Sequence, residues 1–189
     1  SMSSLKLKHS GGNSVSIAAP SSNPAANRTL TVDGSADGNI VASNYGNSFI
    51  AYLGADATIA TSTMTSIVCN TEVFDIGGAF NTSNGRFTPN VAGIYWVKMC
   101  VTWSTTSSST NNAYYSSYIN KNGTNHINDI IHIDKQDWHT SECSGLIELN
   151  GSSDYVDISV WHNRGGDEYL EGDNRNKTSF EAYWVRELS

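Results

Sequence analysis

Five histidines, His9, His126, His132, His139 and His162, are the side chains of this 189-residue chain best suited to proton transfer or metal binding near neutral pH. They are spread along the sequence, and none sits in a nucleophile or metal-ligand motif. His132-Ile133-Asp134 puts two ligand types on one face of a strand, because alternate residues share a face; two exposed polar residues on an edge strand make the same pattern. Acidic groups recur as Asp154 with Asp157, and as Asp167-Glu168 with Glu171 and Asp173. Such runs bind calcium where their oxygens converge and stay solvated where they do not. Cys69, Cys100 and Cys143 are too widely spaced for a zinc motif, and an odd count leaves at least one outside any disulfide, so buried thiols are expected. These groups define no catalytic residue, metal site or cofactor; calcium is the ion that the acidic runs would suit.

Recognition has more support than catalysis. Trp103 precedes a very polar stretch, Ser104 to Asn112, and Tyr114-Tyr115 follow it. Trp138-His139 lies between Asp137 and Thr140, Trp161-His162-Asn163 ends a strand-like run next to Gly165-Gly166, and Tyr169 lies within the acidic run. Flat apolar ring faces beside hydrogen-bonding groups suit carbohydrate or protein recognition. Trp103, Tyr114, Tyr115, Trp138, His139, Trp161 and Tyr169 are therefore the expected recognition residues, against the alternative that these rings complete the core or subunit contacts.

Composition bounds what surrounds these residues. Only 15% of the chain is charged and 38% is hydrophobic, so Ser, Thr, Asn and Gly must build most of the surface. These residues favour sheets and turns over helices. The 5 Trp, 9 Tyr and 5 Phe are enough for a packed core in an otherwise polar chain. A formal net charge of −7, with 11 scattered basic residues, argues against nucleic acid, whose phosphates require clustered Lys and Arg. No apolar stretch approaches the roughly 20 residues of a membrane span, so no membrane insertion is expected. The start, Ser1-Met2-Ser3-Ser4, carries no charged and apolar signal region.

Two regions differ in composition. Residues 1–47 hold Pro20 and Pro24 and almost no aromatics, and Leu5-Lys6-Leu7-Lys8, Val15-Ser16-Ile17 and Leu30-Thr31-Val32 alternate as short strands do. Gly11-Gly12 and Asp33-Gly34 supply turns. Strands this short bury little alone, so this attachment or trimerisation segment is expected to gain stability from copies of itself in neighbouring subunits or from packing on the larger domain. Residues 48–189 carry denser strand patterns, at Phe49 to Leu53, Thr65 to Val68, Gly93 to Trp103, Tyr114 to Asn120, His126 to Ile133, Cys143 to Leu149, Tyr155 to Trp161 and Ser179 to Val185. Asn84-Gly85, Asn122-Gly123, Asn150-Gly151 and Gly165-Gly166 provide tight turns between them. In the central strand Tyr95, Val97, Met99, Val101 and Trp103 share one face, while Ile94, Trp96, Lys98 and Cys100 share the other. Both faces are largely apolar, which predicts burial on both sides. Many short strands, frequent turns and no helical period predict an all-β sandwich or jelly roll.

The anchors Asp75, Phe80, Phe87, Gly93 and Tyr95 stand with four, six, five and one residues between them. This spacing resembles the globular head of complement component one, subcomponent q, which shares a ten-stranded jelly roll with the tumour necrosis factor ligands. Asn70-Thr71-Glu72-Val73-Phe74-Asp75, Gly85 to Tyr95, Lys121-Asn122-Gly123, Leu149 to Val156 and the closing Ser179-Phe180-Glu181-Ala182-Tyr183 resemble the family as well. The pattern's first aromatic is Cys69 here, and its last two are Val97 and Met99. The resemblance implies a ten-stranded jelly roll, with Asp75, Phe80, Phe87, Gly93, Tyr95 and Phe180 as core or trimer positions. It further implies a homotrimer and, in some relatives, calcium near the three-fold axis. Leu5-Lys6-Leu7-Lys8 and Thr29-Leu30-Thr31-Val32 resemble short modules placed ahead of such heads in bacteriophage fibre and appendage proteins.

Together these readings predict a non-enzymatic, homotrimeric head on a phage tail fibre or similar virion appendage, contacting a bacterial surface glycan or protein and other virion proteins. Two alternatives stay open at this level: a purely structural trimerisation cap, and a secreted, extracellular ligand of the tumour necrosis factor type.

Overall fold

The computed structural model describes residues 4–8, 10–12, 14–18, 46–105, 113–133 and 137–187. The chain divides into two compact units, Ser1–Val41 and Ala42–Ser189. In the first, β1 (Ser4–Lys8) and β2 (Ser14–Ala18) form an antiparallel hairpin pairing Ser4 with Ala18 and Lys8 with Ser14. Gly12 sits in its turn at φ 97°, a backbone region that costs glycine nothing. The strand pattern at Leu30 to Val32, its Asp33-Gly34 turn and the polar stretch after Thr105 lie outside the described residues.

The second unit is all-β among the described residues. Its strands are β3 (Ser48–Tyr52), β4 (Ala57–Ile59), β5 (Thr65–Ile67), β6 (Thr71–Ile76), β7 (Phe80–Asn81), β8 (Arg86–Phe87), β9 (Gly93–Ser104), β10 (Ala113–Lys121), β11 (Thr124–Ile133), β12 (Trp138–Leu149), β13 (Val156–His162), β14 (Glu168–Leu170) and β15 (Ser179–Arg186). One sheet runs β11-β10-β13-β8-β7, with β5 added against β13. In the other, β12 pairs along one edge of β9, while the opposite edge pairs with β15 and then β14; β15 continues to β3 and β6, and β14 to β4. Two facing antiparallel sheets connected in this order are a jelly roll of ten strands, with β4, β5 and β14 as short additions.

Local chemistry explains the framework. The β10–β11 hairpin closes on Asn122 (φ 53°) and Gly123 (φ 76°), the two successive positive angles of a type I′ turn. Asp75 accepts hydrogen bonds from the N–H groups of Ala79 (3.1 Å) and Phe80 (2.9 Å), which fixes the Gly77-Gly78 turn and delivers Phe80 to the core. A side chain at Gly93 would collide with the Trp184 indole and the Arg186 carbonyl, so β9 and β15 approach closely only because that position is glycine.

The core has two aromatic centres. Near the start of β9, Phe49 stacks on Phe80 (4.3 Å between ring centroids) and Phe87 (4.7 Å) and meets Phe180 edge-on at 5.0 Å. Tyr95 packs edge-on against Phe87 at 5.5 Å and donates its hydroxyl hydrogen to the Val91 carbonyl at 2.8 Å. Phe80, Phe87, Tyr95 and Phe180 fill this end, the Asp75 carboxylate fixes the turn that delivers Phe80, and Gly93 leaves room for Trp184. Tyr95, Val97, Met99, Val101 and Trp103 are completely buried, as their shared face requires. Ile94, Trp96, Lys98 and Cys100, on the other face of β9, are only half-buried within this chain.

Candidate functional site

The two outward sheet faces differ sharply. On the seven-stranded sheet, strand register aligns Ile76, Ser48, Tyr183, Trp96 and Leu146 in one row across β6, β3, β15, β9 and β12. Ile76, Tyr183 and Leu146 are exposed, and Tyr183 lies against Trp96 with centroids 5.5 Å apart. The neighbouring row is charged: Glu181 pairs in register with Lys98, whose ammonium sits 2.7 Å from Glu142. Trp138 and Tyr169 both flank Ser104 on this same face, beyond the apolar row. The Lys177 ammonium lies 5.4 Å from the centre of the Trp138 ring and is held by Glu171 and Asp173, each at 3.2 Å.

On the six-stranded sheet a groove of about 460 Å³ opens outward. Its floor is Ser116, flanked along β10 by Tyr114 and Tyr118 and across the sheet by Ile130 of β11 and Trp161 of β13. Met64 and Asn163 complete the rim. Asn163 accepts from the Tyr114 N–H at 2.7 Å, and the Tyr114 ring rests on His132 at 4.3 Å, so the wall is held from two sides.

Between the sheets, at the end of β9, lies a cluster invisible from outside. The buried Trp103 ring meets Tyr115 edge-on at 4.9 Å and His162 at 5.7 Å, while Tyr115 stacks on His162. His162 Nε2 lies 2.9 Å from the Ile59 carbonyl, and Nδ1 accepts from the Arg164 N–H at 3.3 Å. Those partners specify a neutral imidazole protonated at Nε2. Burial holds its pKa below the usual value, although the Ile59 contact opposes the shift. The Arg164 guanidinium donates to the Tyr115 hydroxyl at 3.0 Å and pairs with Glu168 at 3.2 Å, both partners of that ion pair being buried. Trp103 Nε1 and, directly across from it on β12, His139 Nε2 are buried with no hydrogen-bond partner among the described residues.

The expected recognition residues therefore separate. Tyr114 and Trp161 line the groove, and Trp138 and Tyr169 lie on the opposite sheet. Trp103 and Tyr115 require correction: both are completely buried, because each follows an outward residue on a strand and so points inward. His139 is likewise on the inward side of β12, opposite Trp103, and only partly exposed. Trp138, His139, Tyr114 and Tyr115 also belong to strands rather than to loops. Sequence reading missed Met64, Ser116, Tyr118, Ile130 and Asn163. For Ser116, Tyr118 and Ile130 the only signal was the alternation within β10 and β11, which becomes a surface when the two strands are set in register.

The acidic runs do not converge on an ion. Among the described residues no three His, Cys, Asp or Glu side chains gather as a metal site. Glu168 is paired with Arg164, Glu171 and Asp173 with Lys177, Asp154 with Lys121 at 3.1 Å, and Asp157 with Arg86 at 3.6 Å. His132 stacks on Tyr114, while Asp134 lies outside the described residues. None of the cysteines forms a disulfide; burial pushes the Cys69 and Cys143 thiols up to about 12, so they stay protonated and unreactive near neutral pH.

Two facing sheets in this strand order, closed at one end by the Phe80, Phe87, Tyr95 and Phe180 rings, define a jelly-roll head of the complement and tumour necrosis factor kind. The C1q domain model matches residues 48–183, and the chain belongs to that family. Among solved structures, the globular domain of zebrafish complement 1qA is similar with a TM-score of 0.53 at 12% identity, covering 77% of this chain and 100% of that one. Murine APRIL at pH 5.0 gives 0.54 at 10% identity over 74% of this chain and 99% of its own. Eiger TNF from S. frugiperda gives 0.51 at 5% identity, with 77% and 96% covered. At such identities the likeness concerns the fold alone. No curated protein matches the chain. Among the described residues no helix is long and apolar enough to cross a membrane.

Proposed function

We propose that this chain is the head of a homotrimeric virion appendage, a phage tail fibre or similar, which contacts a receptor on a bacterial surface and catalyses no reaction. The observation that carries the self-association is the row Ile76–Tyr183–Trp96–Leu146 on the seven-stranded sheet. Tyr183, Trp96 and Leu146 are neighbours in that row, and Ser48 parts them from Ile76. An apolar band of this kind marks a surface that another chain covers, and the charges of Glu181, Lys98 and Glu142 beside it would set the register of that contact. The second, half-buried face of β9 finds its cover in this way. Residues 1–47 would serve as the attachment segment, in line with their resemblance to modules of phage fibres. Three copies of one weak site act together on a repetitive surface, so each copy can be weak. Membership of a family of heads, rather than any cluster of titratable groups, supports the non-enzymatic reading.

Light scattering tests the assembly: a mass near three times 20.4 kDa is expected, and Leu146→Arg should lower it toward the single-chain value. Fluorescently labelled trimer should then adsorb to cells of a susceptible bacterium. A monomeric wild type sinks the three-fold assembly, and a trimer that adsorbs to no bacterium leaves the structural cap as the function.

A further inference from the structure

We propose that the groove on the outward face of the six-stranded sheet binds a neutral sugar residue of a surface polysaccharide. This inference deepens the recognition reading above and rests on it. The groove combines three properties that a sugar requires together. Its walls are rings, Tyr114, Tyr118 and Trp161, which offer apolar surface to the C–H face of a pyranose. Its polar groups are unspent: the Ser116 hydroxyl, the Tyr114 and Tyr118 phenols, the Trp161 indole N–H and the Asn163 amide NH2 make no hydrogen bond among the described residues. Its volume, about 460 Å³, lies within the roughly 300–1,000 Å³ of small-molecule sites.

Charge selects among ligands. None of the groove's lining residues is charged, although the chain carries a formal net charge of −7. A phosphate or uronate would lose its hydration here without gaining a cation, which is unfavourable. A wholly apolar ligand would leave the indole, amide and hydroxyl groups unpaired, which is also costly. A neutral, polyhydroxylated ring avoids both penalties. The site is also held ready before any ligand arrives: Asn163 is tied to the Tyr114 backbone, and Tyr114 is braced by His132. Bracing of this kind lowers the ordering cost of binding.

The test uses the full chain on a printed array of bacterial surface polysaccharides, neutral and uronate-bearing, with Trp161→Ala, Trp161→Phe and Tyr114→Ala beside the wild type. Binding is expected to neutral members only, at least about tenfold weaker for Trp161→Ala and Tyr114→Ala and largely kept by Trp161→Phe, with the oligomer mass unchanged throughout. Binding confined to uronate-bearing members, binding untouched by the alanine variants, or absence of glycan binding each overturns the groove as a sugar site. If the wild type still adsorbs to cells in any of those cases, recognition stands and lies elsewhere. Loss of the oligomer in both alanine variants, with Trp161→Phe intact, would assign the groove to subunit contact instead and overturn the proposal.

Discussion

Tyr95, near the start of β9, joins a cluster made of rings alone: Phe49, Phe80, Phe87 and Phe180. Trp103, about 26 Å further along the same strand at roughly 3.3 Å per residue, instead meets Tyr115, His162 and the buried Arg164–Glu168 pair. Both ends exclude water equally well, since Phe49, Phe87, Tyr95, Trp103, Tyr115 and His162 are all completely buried. The first is held by dispersion and hydrophobic burial, which tolerate small displacements. The second depends on donors and acceptors that are costly to leave unpaired at low local dielectric. Burial alone therefore does not say what a region of this core responds to: volume governs one end, and charge and protonation govern the other.

The largest expected effect breaks the ring cluster. Phe49→Ala removes the side chain that touches Phe80, Phe87 and Phe180 at once, and should destabilise the fold by about 3–5 kcal/mol. Denaturant unfolding reads this directly, and a loss below about 1 kcal/mol would show that the rings repack. At the other end, Arg164→Met leaves the Glu168 carboxylate buried without this cation, with an expected cost of about 3 kcal/mol. Adding Glu168→Leu should recover most of that loss, whereas at the ring cluster no second truncation would compensate the first. Equal stability of the single and double variants would show that charge does not distinguish the two ends.

Protonation sharpens the contrast. The His162 pKa is lowered by burial, so between pH 7 and 5 the unfolded chain takes up a proton that the folded chain refuses. Stability should therefore fall as pH drops below about 6.5, by no more than about 1.4 kcal/mol per pH unit for this one group. Melting temperatures of wild type and His162→Gln at pH 7 and 5 should show that increment in the wild type only. The smallest effect returns to the first end: Tyr95→Phe removes the hydrogen bond to the Val91 carbonyl and should cost about 1 kcal/mol, with no change in acid sensitivity.

The two ends also differ in how far they were legible. Asp75, Phe80, Phe87, Gly93, Tyr95 and Phe180 could be read because each acts through its own type: a ring to fill space, a carboxylate to cap a turn, a glycine to admit Trp184. Trp103 and Tyr115 were misplaced because a ring beside a polar stretch suits the surface and the end of a core strand equally. Nothing in Trp161-His162-Asn163-Arg164 announces that His162 turns in while Trp161 and Asn163 turn out to the groove. That alternation depends on the register in which β13 meets β10.

The residue types and their order by themselves determined the class of fold, the turns at Asn84-Gly85 and Asn122-Gly123, the inward face of β9 and the family, because period-two alternation and turn chemistry act between near neighbours. Tertiary structure alone decided which aromatics meet solvent. It set Ile76, Tyr183, Trp96 and Leu146 in one row, gathered Ile130 and Trp161 around Ser116, and brought Lys121 to Asp154 and Arg86 to Asp157. These are contacts between residues far apart in the chain, and a one-residue slip in strand register would turn each of those side chains to the other face.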